Sequence, residues 1–170
     1  MLSLLVGRSR LERGKAMGIV ILAGLLGLSL WQLSVGHAQA VRGNQDRQAV
    51  ADIAGRFAIA MTTYDYVHPG VQASQVAPLS SASVRARLAA SSEDAILARA
   101  SSLGAVTYTA VVSATTSRAE VLLGVSQVVS GTYVTTGSQL AGLLDVALSR
   151  TVSGWIVTDY RWLLAPGTAP

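Results

Sequence analysis

The stretch GAVTYTAVVSATTSRAEVLLGVSQVV, residues 104–129, decides the fold, because its hydropathy alternates with a period of two on either side of a polar turn. Such alternation, rich in β-branched residues, is typical of strands with one buried face. It predicts two antiparallel strands, one around residues 106–112 and one over residues 118–129. On the first strand, Val106, Tyr108, Ala110 and Val112 are expected to share a face. On the second, the shared face holds Ala119, Val121, Leu123 and Val125.

Two more strands are predicted downstream. One runs over residues 140–152, and the other over residues 155–164, with Ser153-Gly154 as a two-residue hairpin turn between them. On the last strand the alternation places Trp155 and Val157 on one face. The opposite face is then expected to hold Ile156, Tyr160 and Trp162.

Helical periodicity dominates upstream of residue 104. Residues 44–63 carry one apolar stripe at i, i+3, i+4, i+7 spacing, which predicts an amphipathic helix. His68-Pro69-Gly70 breaks the chain, and a second helical region, residues 71–90, is interrupted by Pro78. Its clearest part is residues 80–88, capped by Ser80 or Ser81. The stripe of the first helix comprises Val50, Ile53, Ala54, Phe57, Ala58 and Met61.

A third, short helix is predicted from Glu93 to about Ser101. In Ser91-Ser92-Glu93-Asp94 an acid stands three residues after a serine, which is the spacing of a helix-capping sequence. Arg85 and Arg87 are expected on a solvated helix face. Three helices followed by a four-stranded antiparallel meander predict an α+β domain, with the helices covering one sheet face.

A membrane anchor is predicted before this domain. The uncharged run from Ala16 to Val35 is 20 residues long, and a helix of that length spans about 30 Å, the thickness of a bilayer core. The basic residues that precede it keep the N-terminus cytoplasmic. The expected organisation is a tail (1–15), a transmembrane helix (16–35), a linker (36–43), an extracytoplasmic domain (44–165) and a flexible tail (166–170).

Cleavage as a signal peptide is the alternative. Ala38-Gln39-Ala40 has the small-x-small pattern that signal peptidase cuts. The apolar run, however, exceeds the roughly 7–15 residues of a signal sequence core, which favours an uncleaved anchor.

The net charge of +4 comes mostly from the first 15 residues, which carry four bases and one acid. It therefore gives no support for nucleic-acid binding. The absence of cysteine excludes disulfides, so the domain depends on packing.

Residues for catalysis or for a metal are sparse. His37 and His68 are isolated, and a lone histidine lacks the partners of a metal site or a proton relay. There is no nucleophile elbow, phosphate-binding glycine loop or cysteine pair. We expect no enzyme activity, metal or cofactor.

Aromatic residues beside carboxylates are the candidates for an interface or a pocket. Tyr64-Asp65-Tyr66 could bind a partner or raise the pKa of the acid for base chemistry; the simpler explanation is that Tyr64 packs and Asp65 ends the helix. A cavity lined by Phe57, Met61, Trp155 and Trp162 would indicate an apolar ligand. The candidates are Tyr64, Asp65, Tyr66, Trp155, Asp159 and Trp162.

Taken together, these segments resemble the mammalian-cell-entry (Mce) associated membrane proteins. The resemblance rests on the basic tail, the membrane span, Thr63-Tyr64-Asp65-Tyr66, Val84-Arg85 and the closing Gly154-Trp155-Ile156-Val157-Thr158-Asp159. That family is similar in fold to the nuclear-transport-factor-two-like cone and to periplasmic assembly domains of type IV secretion and conjugation.

The resemblance implies a non-catalytic scaffold subunit of a lipid-importing Mce complex, anchored in the cell membrane and bound to other protein subunits. An assembly subunit of a conjugation or secretion channel has the same architecture and stays open as the alternative. A cone-fold small-molecule-binding protein or enzyme is a third option.

Overall fold

The helices precede the four long strands in the computed structural model, which describes residues 43–132 and 134–167. Three helices pack on a curled antiparallel sheet of five strands, paired in sequence order from β1 to β5. The elements are α1 (43–62), β1 (Tyr64–Asp65), α2 (Pro69–Val76) with a 3₁₀ turn (Ala77–Leu79), α3 (Ala82–Leu97), β2 (Ser101–Ala114), β3 (Arg118–Gly131), β4 (Val134–Thr151) and β5 (Gly154–Leu164).

The predicted tail, membrane span and Ala40 cleavage site lie outside the described residues and stay predictions, as do residues 168–170 of the C-terminal tail. Within the described ranges, no helix combines the length and the apolarity that crossing a bilayer requires.

The core forms between α1 and the inner face of the sheet. The apolar stripe predicted for α1 is confirmed, since Val50, Ala54 and Phe57 are fully buried. The predicted inward face of β3 is confirmed too. The core cluster joins these side chains to residues of the last two strands, including Leu144, Val146, Leu148, Trp155 and Val157.

The prediction of four strands is wrong by one, because Tyr64–Asp65 forms a two-residue strand against Ser101 and Ser102 of β2. A strand this short has no alternation to detect. β2 also begins at Ser101, and β4 begins at Val134, six residues earlier than predicted.

Two of the predicted strand faces are wrong, because bulges shift the register within β2 and β5. In β2 the register shifts at Thr107 and Val112, so Tyr108 and Val112 are exposed while Val106 and Val111 pack on the core. In β5 the register shifts at Thr158. The extra residue turns Tyr160 and Trp162 toward the core, onto the same face as Val157. The predicted alternation placed them on the opposite face from Val157. Bulges of this kind bend a strand and increase its twist, which curls the sheet.

The helix predicted to begin after Ser91 is instead the second half of α3. Ser91 Oγ donates to the Leu88 carbonyl at 2.9 Å within a continuous helix, so it does not act as an N-cap. The actual cap is Ser81, whose Oγ accepts the Val84 N–H at 3.4 Å. Pro69 stands in the first turn of α2, where its missing N–H costs no hydrogen bond.

Candidate functional site

Asp65 is the centre of a hydrogen-bonded cluster at the turn between β1 and α2. One carboxylate oxygen accepts the Val67 N–H at 3.1 Å and the Ser101 Oγ–H at 3.0 Å. The other lies 3.0 Å from His68 Nδ1. The pairing of β1 with β2 brings Ser101 to the turn.

These contacts oppose the base chemistry considered for Asp65. The hydrogen bond from His68, then those from Val67 N–H and Ser101, hold the pKa of Asp65 below its usual value. A nucleophilic triad places histidine between serine and the acid, whereas here the acid lies between Ser101 and His68. The hydrogen bonds of Asp65 to Val67, His68 and Ser101 instead hold the turn between β1 and α2 in place.

His68 has a partner that the sequence analysis missed. It was expected to be isolated, yet Asp65 three residues earlier contacts it. The Asp-x-x-His spacing was the available signal.

An open groove of about 510 Å³ borders this cluster. Its polar lining residues include Asp65, His68 and Ser101, and its apolar ones include Val71, Leu103 and Val128. Tyr64 lines it as well, and burial raises the pKa of the Tyr64 phenol. Tyr66 is exposed nearby.

Asp159 lies apart from this groove, in an ion pair with Arg87 that links α3 to β5 and that we call the clasp. Arg87 Nη2 contacts Asp159 Oδ1 at 2.7 Å, and its guanidinium lies 4.1 Å from the centre of the Tyr160 ring. The hydrogen bond from Arg87 lowers the pKa of Asp159 and raises that of Arg87. Arg85 and Arg87 are both exposed, as expected for a solvated helix face, although Arg87 also makes this ion pair. Arg85 also has partners, the carbonyls of Ser80 at 2.6 Å and Ala77 at 3.2 Å.

The two candidate tryptophans occupy different environments. Trp155 belongs to the core at 7% exposure, and its Nε1 is the buried side-chain atom without a partner among the described residues. Trp162 lines a second cavity beside Met61. Of the four residues predicted to line an apolar cavity, Met61 and Trp162 line this one, whereas Phe57 and Trp155 do not.

The two outer edges of the sheet differ. The edge of β5 is covered: Ser81 N–H donates to the Val157 carbonyl at 2.8 Å, and Arg87 reaches the Tyr160 carbonyl at 3.2 Å. The outer edge of β2 pairs with β1 only at Ser101 and Ser102. Over residues 105–114 that edge pairs with no strand of the described chain.

Known structures share this architecture. An IcmL-like type IV secretion system protein from Legionella pneumophila matches with a TM-score of 0.56 and 16% identity, over 71% of this chain and 93% of that one. CagV of Helicobacter pylori, a VirB8 homologue of the type IV secretion system, matches at 0.55 and 8%, over 69% and 98%. The intermembrane space region of the chloroplast protein ARC6 matches at 0.53 and 11%, over 69% and 96%.

At these identities the matches establish a shared fold. Type IV secretion domains recur among them, and ARC6 shows that the fold also occurs elsewhere. No family model matches the chain, and no curated protein matches it. None of the comparisons supports the resemblance to Mce-associated proteins.

Proposed function

We propose that this chain is a membrane-anchored, non-catalytic assembly subunit of a secretion or conjugation channel. The observation that carries the proposal is the fold shared with domains of type IV secretion proteins over about two thirds of the chain. The predicted N-terminal anchor is consistent with it, because it would hold the domain at the outer surface of the membrane.

The open edge of β2 is the contact that we assign to a neighbouring subunit. Its unpaired backbone groups over residues 105–114 can accept an extended segment of another protein, which is a common mode of recognition. The bulges at Thr107 and Val112 interrupt this edge. Interruptions of this kind limit pairing between identical chains, which favours a different subunit as the occupant.

An accessory role in lipid import is the competing proposal. It depends on the short sequence motifs that resemble Mce-associated proteins, and the structural similarities favour the channel subunit instead.

Single cysteines test the assigned edge, because the chain has no cysteine of its own. Tyr108→Cys lies beside the open edge, and Val152→Cys, at the β4–β5 hairpin, is a matched exposed control. Each variant is labelled in native membranes with a maleimide that carries a photoreactive diazirine. We expect Tyr108→Cys to cross-link to a channel subunit and Val152→Cys not to do so. No product from Tyr108→Cys, or the same product from both variants, would overturn the assignment.

A further inference from the structure

A second cavity lies between the helices and the inner face of the sheet. Its volume is about 350 Å³, within the range of roughly 300–1,000 Å³ that is usual for ligand pockets. Met61 and Leu88 contribute apolar surface from α1 and α3, and Tyr160 and Trp162 contribute aromatic surface from β5. The Thr158 bulge is what turns these two rings inward.

Gln127 of β3 places a carboxamide in the wall of this cavity. The residue is only 8% exposed. Ser102 Oγ donates a hydrogen bond to its Oε1 at 3.4 Å. The two ends of a carboxamide can exchange places, so in either orientation one end meets Ser102 and the other is left for the cavity.

A carboxamide both donates and accepts hydrogen bonds, so the end of Gln127 away from Ser102 can bind a polar group of a ligand in the cavity. The charge of the lining restricts what that group can be. None of the described side chains that line it belongs to Asp, Glu, His, Lys or Arg, and burial raises the pKa of Tyr64, which keeps its phenol neutral. Arg87, which lies over the Tyr160 ring, is already paired with Asp159. A charged ligand would therefore find no free counter-charge among these residues, at a large desolvation cost.

We propose that this cavity binds a small, uncharged molecule with a flat, aromatic body and one carbonyl group that hydrogen-bonds to Gln127. The rings of Tyr160 and Trp162 supply the apolar contact, and the carboxamide fixes the orientation. This site is distinct from the β2 edge and does not depend on the channel assignment.

Benzophenone is the probe for the test, since it is uncharged and carries one carbonyl between two aromatic rings. On near-ultraviolet irradiation its ketone inserts into a nearby C–H bond, becomes an alcohol, and adds its whole mass to the peptide. The full-length chain in mild detergent is irradiated over a series of benzophenone concentrations, and the adducts are mapped by mass spectrometry. We expect saturable labelling on the peptides that contain Met61 and Leu88.

Two tryptophan variants on α3 provide the matched comparison. Ser91 is exposed and lines the cavity, whereas its neighbour Ala90 is exposed and does not line it. Ser91→Trp is expected to abolish labelling at Met61, and Ala90→Trp to leave it unchanged. Thermal melting of both variants verifies that they are folded.

Gln127→Leu replaces the carboxamide with an apolar side chain of similar volume. We expect half-maximal labelling at about a five- to tenfold higher concentration, which corresponds to the loss of one hydrogen bond. Equal half-saturation for Gln127→Leu and the parent would overturn the role of the carboxamide. Non-saturable labelling, labelling confined to peptides of the outer groove around Val71 and Leu103, or labelling that survives Ser91→Trp would overturn the site itself.

Discussion

Gly104 offers the sharpest test of how α1 is seated on the sheet. A Cβ added at Gly104 would lie 2.6 Å from Thr62 Cβ and 3.2 Å from the Thr62 carbonyl carbon, with Thr62 Oγ1 closer still. Thr62 is 2% exposed and its Oγ1 donates to the Ala58 carbonyl at 2.6 Å, so it has little room to move. We expect Gly104→Ala to destabilise the domain by about 1–3 kcal/mol through overpacking. For a domain of this size that lowers the melting temperature by about 3–15 °C.

Gly55→Ala is the matched control, since it makes the same chemical change inside α1. Apart from the neighbouring backbone of α1 itself, nothing lies within 4 Å of the added Cβ there, and alanine is favoured over glycine in a helix by about 0.5–1 kcal/mol. The two variants are therefore expected to shift the melting temperature in opposite directions. Far-ultraviolet circular dichroism of the full-length chain in one detergent measures both shifts. An unchanged melting temperature for Gly104→Ala, or a fall for Gly55→Ala, would refute this account of the packing.

Three further substitutions test the core, the clasp and the turn. Phe57 is fully buried, so Phe57→Ala is expected to cost about 3–5 kcal/mol, measured as a lower urea midpoint. The Arg87–Asp159 pair is largely exposed, so Asp159→Asn is expected to cost about 1 kcal/mol or less at pH 7. Folding lowers the pKa of Asp159, so this stabilisation is present above the unfolded-state pKa of about 3.9 and is lost as the pH falls through the folded-state pKa. If the urea midpoints of parent and variant still differed in strong acid, that result would contradict the clasp. Asp65→Ala removes the acceptor of the Val67 N–H and is expected to speed hydrogen exchange at that amide; unchanged exchange would show that Asp65 does not hold the turn.

The sequence predicted the elements whose periodicity is unbroken. The stripe of α1 and the alternation of Val121, Leu123 and Val125 on β3 both identify core residues, because regular geometry maps spacing directly onto one face. The same logic failed for Tyr160 and Trp162. One extra residue at Thr158 reverses the alternation, and the sequence carries no local mark of that bulge.

The candidate site was predictable where its contacts are local. Tyr64, Asp65 and Tyr66 were selected from their composition, and the contact from Asp65 to His68 spans three residues. The contact from Ser101 to Asp65 spans 36 residues and arises from a two-residue strand pairing that no periodicity reveals. Long-range contacts of this kind are visible only in the fold.

The most direct test of the central claim is affinity purification of the tagged, full-length chain from native host membranes in mild detergent, with the bound proteins identified by mass spectrometry. A channel-assembly subunit is expected to retain other components of a secretion or conjugation apparatus. Recovery with lipid-import components, or of the chain alone as a monomer, would contradict the account.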